Sequence, residues 1–133
     1  MSVFTAAEVD YLKSQSLGRL ATVTAAGNPH VVPVGYYFNA ALDTIDIVGT
    51  GMGGSKKLRD VRASARVAFV VDDQAGPRHP RGIEVRGQAE ALSTGGQAYR
   101  SNADAEMIRI TPTYVASWGI DGEPYRPVGR RVR

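Results

Sequence analysis

Residues 49–57, GTGMGGSKK, hold more potential chemistry than any other short segment of the chain. Gly49, Gly51 and Gly54 satisfy the G-x-G-x-x-G spacing that lets a backbone approach a pyrophosphate closely. Asp72 and Asp73 follow near the end of the next apolar run, close to the spacing of a ribose-binding acid. The rest of the chain argues against a dinucleotide site. A doubly wound fold needs repeated βα crossovers, and turn-linked alternating segments flank this motif on both sides. With 15 glycines in the chain, a chance match is easy. The segment is not a P-loop either, because Ser55 separates the glycines from Lys56. The physics beneath the pattern remains. Ser55 is placed to cap a helix whose free N–H groups and dipole attract anions. Lys56, Lys57 and Arg59 crowd that first turn, where like charges are unfavourable unless an anion neutralises them. The segment is a candidate phosphate site. Its alternative is a mobile glycine loop followed by a solvated basic helix face.

Other groupings are sparser. The absence of cysteine excludes disulfides, thiolate metal sites and a cysteine nucleophile. Only His30 and His79 could add imidazole ligands, so no metal site is expected. These histidines with Asp72 or Asp73 show no triad spacing, and there is no G-x-S-x-G elbow. Tyr36, Tyr37, Tyr114 and Trp118 could stack a planar ring, or simply pack a sheet. Arg78 and Arg81 could clamp a carboxylate or phosphate, or stay solvated in a polar loop. No residue is assigned a catalytic role.

The elements that must position these groups begin with a helix. Thr5 as N-cap and Glu8 three residues later form a capping box, and Phe4 with Val9 forms a hydrophobic staple. The helix ends near Gly18, within an N-terminal helical region of residues 1–17. The hydrophobic period then falls to two. Strands are expected over residues 18–24, 30–38, 44–48, 66–71 and 82–92, with turn chemistry at residues 25–28 and 39–43. Pro33 lacks an N–H, so its strand position should be an edge or a bulge that a ligand can reach. A basic helix covers residues 55–64. The run RVAFVV reads as a strand buried on both faces. Residues 72–81 form a polar loop, and residues 93–104 carry no clear signal. A last strand spans residues 107–120, broken or kinked at Pro112, with Tyr114, Ala116, Trp118 and Ile120 on one face. Six strands and two short helices, mostly joined by tight turns, predict a mainly antiparallel β-barrel with flanking helices.

Composition sets the bounds. At 133 residues, 43% of them apolar and 22% charged, the chain reads as one globular domain. No apolar stretch approaches membrane-spanning length, and the N-terminus carries no signal-peptide pattern, so a cytoplasmic protein is expected. The net charge of +3 is a tail effect. Residues 124–133 hold Arg126, Arg130, Arg131 and Arg133 and no acid; in the rest, 12 basic residues face 13 acids. This basic tail is expected to be solvated, and it does not make the domain a nucleic-acid binder.

Three segments in order, GRLATVTAAGNPHVVPVGYYF, GGSKKLRDVRASARVAFVVDD and RGIEVRGQAE, resemble the pyridoxamine-phosphate-oxidase-like split β-barrel proteins. Within that superfamily they are similar to the small actinobacterial flavin/deazaflavin oxidoreductases that use coenzyme F420. The resemblance runs from about Gly18 to Trp118. It implies an FMN-binding-like split barrel and a homodimer with cofactor sites at the subunit interface. It also implies that Lys57, nine residues ahead of Arg66, contacts the cofactor's phosphate or acidic tail. Thr50, Gly51, Gly53, Gly54, Ser55 and Lys56 fall on the loop around that tail. His30, Val31, Val32 and Pro33 lie alongside the ring. Arg81 and Trp118 are assigned to the substrate side. The longer pyridoxamine-phosphate oxidases carry arginine and C-terminal substrate residues that find no counterpart here, which argues against vitamin B6 oxidation. The expected activity is hydride transfer from reduced F420 to a small conjugated organic acceptor. FMN in the same pocket, or cofactor binding without turnover, are the alternatives.

Overall fold

Reciprocal bonds between Thr5 and Glu8 start the first helix. The Glu8 N–H donates to Thr5 Oγ1 (3.1 Å) and the Thr5 N–H donates to Glu8 Oε1 (2.9 Å). The structure, a computed structural model covering residues 1–133, continues this helix, α1, over Ala6–Ser14. It stops four residues short of Gly18 because Leu17 already belongs to a strand. The Gly18 position has no room for a Cβ, since the Phe69 ring occupies that space. Strands β1 (Leu17–Val23), β2 (Pro29–Asn39) and β3 (Thr44–Ile47) form an antiparallel meander. Helix α2 (Lys56–Ala63) leads to β4 (Arg66–Gln74) and β5 (Pro80–Leu92). A short helix, α3 (Gly96–Tyr99), precedes β6 (Met107–Trp118), and β7 (Val128–Arg131) ends the chain.

The sheet order is β3-β2-β1-β4-β5-β6-β7, and β3 also pairs with β6. Six strands therefore close into a barrel, with every pairing antiparallel. No parallel β3/β4 pair exists, so the glycine motif does not belong to a dinucleotide-binding crossover. The core of 20 residues fills the barrel, with Leu20, Ile45, Ile47, Leu58, Ile83, Val85, Ile108, Ile110 and Val115 at most 1% exposed.

Four expectations need correction. Residues 72–81 are not one long loop, because β4 and β5 stay paired out to Gln74 and Pro80. The run at residues 66–71 is buried on one face only: Val67, Phe69 and Val71 point into the barrel while Ala68 and Val70 are half-exposed outside it. The basic tail is not solvated throughout. Its residues 128–131 pair with β6, and Arg130 donates to Glu8 Oε1 (2.6 Å), Glu8 Oε2 (3.1 Å) and the Val3 carbonyl (2.7 Å). Glu8, 1% exposed, thus serves both as the capping-box residue of α1 and as the buried partner of Arg130, a carboxylate whose burial calls for a cation. Finally, β6 ends at Trp118, so Ile120 lies beyond it. Pro112 sits at a register shift where β6 carries one extra residue against Arg86 and Gly87, the type of position that tolerates a missing N–H.

The seam between β3 and β6 is closed electrostatically. Asp46, fully buried, accepts from both forks of Arg109 (3.0 and 3.0 Å), from Tyr99 (2.6 Å), Asn39 (3.0 Å) and Thr44 (2.9 Å). Burial alone would raise its pKa, but these five donor contacts together hold the carboxyl below the ordinary carboxylate range. Tyr99 also stacks on Tyr37 at 4.5 Å, which gives the unassigned segment around α3 its place.

Candidate functional site

The glycine loop is anchored at its middle and sides. Met52 inserts into the core at 1% exposure. The Gly53 N–H donates to Asp104 Oδ2 (3.1 Å), and the Asp104 N–H donates to the Gly49 carbonyl (3.0 Å). A side chain at Gly53 would run into the Glu106 carboxylate. Gly51 takes φ +70°, a left-handed conformation that favours glycine. Thr50, Gly51 and Gly54 remain exposed on the outer side of the loop.

Ser55 is the N-cap of α2. Its Oγ accepts from the Leu58 N–H (3.3 Å) and donates to the Met52 carbonyl (2.7 Å). The N–H groups of Lys56 and Lys57 find no acceptor within the protein. The two lysines then part company. Lys56 Nζ lies 3.2 Å from both oxygens of Asp60, one helical turn on. Asp60 also accepts from Thr22 Oγ1 (2.8 Å), and His30 Nδ1 lies 3.6 Å away. Burial would raise the Asp60 pKa; Thr22, Lys56 and His30 outweigh it and keep the carboxyl low. Lys57 has no carboxylate or hydrogen-bond partner, and partial burial lowers its pKa from the ordinary lysine value. A partly buried lysine in the same helical turn as two free N–H groups fits an anionic group such as a phosphate.

The second candidate segment sits on an open edge. In residues 29–35, β2 pairs only with β1; β3 takes over from Tyr36. The Tyr36 N–H donates to the Ser16 carbonyl and the Thr24 N–H to the Asn28 carbonyl, which sets the alternation of the ladder. By that alternation His30, Val32 and Val34 bond toward β1, while the backbone groups of Val31, Pro33 and Gly35 point to the free edge. Pro33 thus occupies an edge, as its missing N–H requires. The backbone groups open to a ligand belong to Val31 and Pro33 rather than to Val32.

The side chains of this region continue onto the outer face of the sheet. Val31, 65% exposed, shares a shallow depression of about 260 Å³ with Arg19, Ala21, Ala68, Val70, Glu84 and Trp118. Two residues singled out from sequence for different roles, Val31 and Trp118, therefore meet on one surface. Trp118 lies over Gly82, where a Cβ would contact its ring. Arg81 is elsewhere engaged: Asp73 binds it through both oxygens (2.7 and 3.1 Å), and its guanidinium stacks over Tyr11 at 5.0 Å. The sequence reading missed a second, larger concavity beside the first, of about 730 Å³, with Arg66, Arg86, Arg131 and Arg133 among its lining residues. The signal was the uneven charge of the tail, which could not be located without β7.

The closed antiparallel barrel with its flanking helices defines a split barrel. The sequence pattern of the pyridoxamine 5'-phosphate oxidase family matches residues 4–119, and the chain belongs to that family. It is 47% identical over 122 residues to a 5a,11a-dehydrotetracycline/5a,11a-dehydrooxytetracycline reductase of Streptomyces rimosus, covering 90% of this chain and 86% of the relative. A Mycobacterium smegmatis structure described as an FAD binding protein is 25% identical, with TM-score 0.61 and 98% of each chain covered. A Mesorhizobium loti structure described as an FAD-binding protein is also 25% identical, with TM-score 0.66, covering 86% of this chain and 92% of that one. No helix is long and apolar enough to cross a membrane.

Proposed function

We propose that this protein is an oxidoreductase that binds reduced coenzyme F420 and directs hydride transfer to a conjugated organic acceptor. The family and the reductase relative support the general class. The observation that carries the cofactor reading is Lys57: a half-buried cation without a partner, at a helix turn with two free N–H groups. When bound, the deazaflavin supplies the hydride chemistry. The protein supplies position. Lys57 and the N–H groups of Lys56 and Lys57 hold the anionic tail, and Ser55 keeps that turn in shape. Lys56 acts indirectly, by neutralising Asp60 so that its carboxylate does not repel the tail. Backbone groups of Val31 and Pro33 orient the ring along the free edge. Trp118 and Val31 provide an apolar surface that excludes water from one side.

The acceptor reading follows from the relative's name, which describes reduction of a dehydrogenated tetracycline; a polycyclic enone is the class to try first. Two copies of the chain would meet through the half-apolar outer face around Val31, Ala21, Ala68 and Val70 and enclose the ring. A flavin in the same site is the second reading, favoured by the two FAD-binding structures of the same fold. Equilibrium titration with F420, FMN and FAD tests the choice. Selective F420 binding, weakened in Lys57→Ala without loss of folding, is the expected result. Preference for a flavin would keep the site and overturn the deazaflavin assignment.

A further inference from the structure

The glycine loop ahead of α2 is the least self-supporting part of the proposed site. Four of its six residues, 49–54, are glycines, which lose the most conformational freedom when ordered. No helix or strand runs through it. The N–H groups of Gly54, Lys56 and Lys57 have no acceptor within the protein. They serve an anion only while the chain around them keeps one shape, and a shape held in advance spares the ligand the cost of ordering it.

One residue, 51 positions beyond Gly53, grips this loop. The Asp104 N–H donates to the Gly49 carbonyl (3.0 Å), and Asp104 Oδ2 accepts from the Gly53 N–H (3.1 Å). The two bonds fall on either side of Met52, whose side chain is sunk in the core. Asp104 is itself fixed. Ala103 and Met107 are buried and pack with Val48, the residue before Gly49. The Ala103 N–H donates to the Arg100 carbonyl (3.1 Å), and the Gly96 N–H donates to the Ala105 carbonyl (2.9 Å). Gly96 has no room for a Cβ, because the Asp104 carbonyl occupies that space. Tyr99, in the same segment, donates to the buried Asp46 (2.6 Å). Residues 96–107 thus form a rigid support, and Asp104 is its hydrogen-bonded contact with the loop.

We infer that Asp104 is a positioning residue: it holds residues 49–53 in the shape that presents the α2 turn to the cofactor's anionic tail. The role rests on the α2 turn receiving that tail, as proposed above. Asp104 acts through the loop and does not touch the ligand. Its negative charge works against an anion, and only its acceptor oxygen helps. The two contributions are separable. Asparagine keeps an acceptor oxygen at the same reach and drops the charge. Alanine keeps the backbone bond to Gly49 and loses the bond to Gly53.

Equilibrium titration of the full-length wild type, Asp104→Asn, Asp104→Ala and Lys57→Ala tests this role. The probes are F420 and the deazaflavin chromophore without its phosphate tail. Asp104→Ala should weaken F420 binding roughly five- to tenfold, while Asp104→Asn binds it at least as well as wild type. The tailless chromophore should bind all four proteins alike. Hydrogen–deuterium exchange on the ligand-free proteins should show residues 49–54 exchanging faster in Asp104→Ala and unchanged in Asp104→Asn. Wild-type F420 affinity in Asp104→Ala, an equal loss in Asp104→Asn, an equal loss for the tailless chromophore, or failure of Asp104→Ala to fold would each overturn the inference. A weakened Lys57→Ala would then leave the cofactor reading standing. If Lys57→Ala also binds F420 as wild type does, the tail does not sit at this turn, and the cofactor reading falls together with the role of Asp104.

Discussion

Two regions of this barrel treat charge in opposite ways. At the β3/β6 seam, Asp46 is fully buried and every lone-pair direction is answered by Arg109, Tyr99, Asn39 or Thr44. At the start of α2 and on the outer sheet face, Lys57, Arg66 and Arg131 stand without any partner. The first arrangement locks the sheet register and leaves nothing for a ligand to bind. The second leaves cations that no carboxylate of the chain neutralises. Buried side-chain polar atoms are all hydrogen-bonded, so the unsatisfied charges lie only where solvent, or a ligand, can reach them.

This contrast makes separate demands on stability and on binding. Arg109→Ala should cost the most, about 3–5 kcal/mol in urea unfolding, because it strands a fully buried carboxylate. A near-neutral result would mean that the seam is not held by charge. Arg130→Ala should come next, at about 2–3 kcal/mol. It strands Glu8 in the same way, but Arg130 is itself 37% exposed and its pairing is weakened by water. Burial would raise the Glu8 carboxyl, while Arg130 and the Thr5 N–H hold it low.

Acid should act along the same division. Asp46, Glu8 and Asp60 all have folded-state pKa values below their ordinary ones, as does Asp73 through its Arg81 partner. Their contribution is therefore complete above the unfolded carboxylate range and is lost as pH falls through the folded values. The melting temperature should hold steady from pH 7 to about 5 and drop below about pH 4. Asp60→Asn should blunt that acid limb; an identical profile would remove Asp60 from the account. The smallest effect on stability belongs to Lys57→Ala, within about 0.5 kcal/mol of wild type. Its consequence is confined to binding, with F420 affinity reduced roughly tenfold or more. A large loss of stability in that variant would erase the distinction between the two regions.

Much of the fold was readable in advance because its signals are local. The capping box of Thr5 and Glu8, the two-residue alternation from Ile83 to Ala91, and the need of Pro33 for an edge all depend on neighbours within a few residues. The same holds for Ser55 as the cap of α2. The glycine pattern misleads for the same reason: G-x-G-x-x-G is a local spacing, while the fold that gives it meaning is a matter of strand order.

What the sequence determined by itself, then, is six of the seven strands, two of the three helices, the antiparallel habit and, through the resemblance, the barrel. The tertiary structure alone decided how charges pair across long separations. Glu8 meets Arg130 over 122 positions and Asp46 meets Arg109 over 63. It also decided that Arg81 is held by Asp73 and that Lys56 belongs to Asp60 while Lys57 is free. The same folding gathers Arg66, Arg131 and Arg133 around one groove. Such pairings follow from barrel closure and register, which bring distant residues within a few ångströms, and no local spacing encodes them.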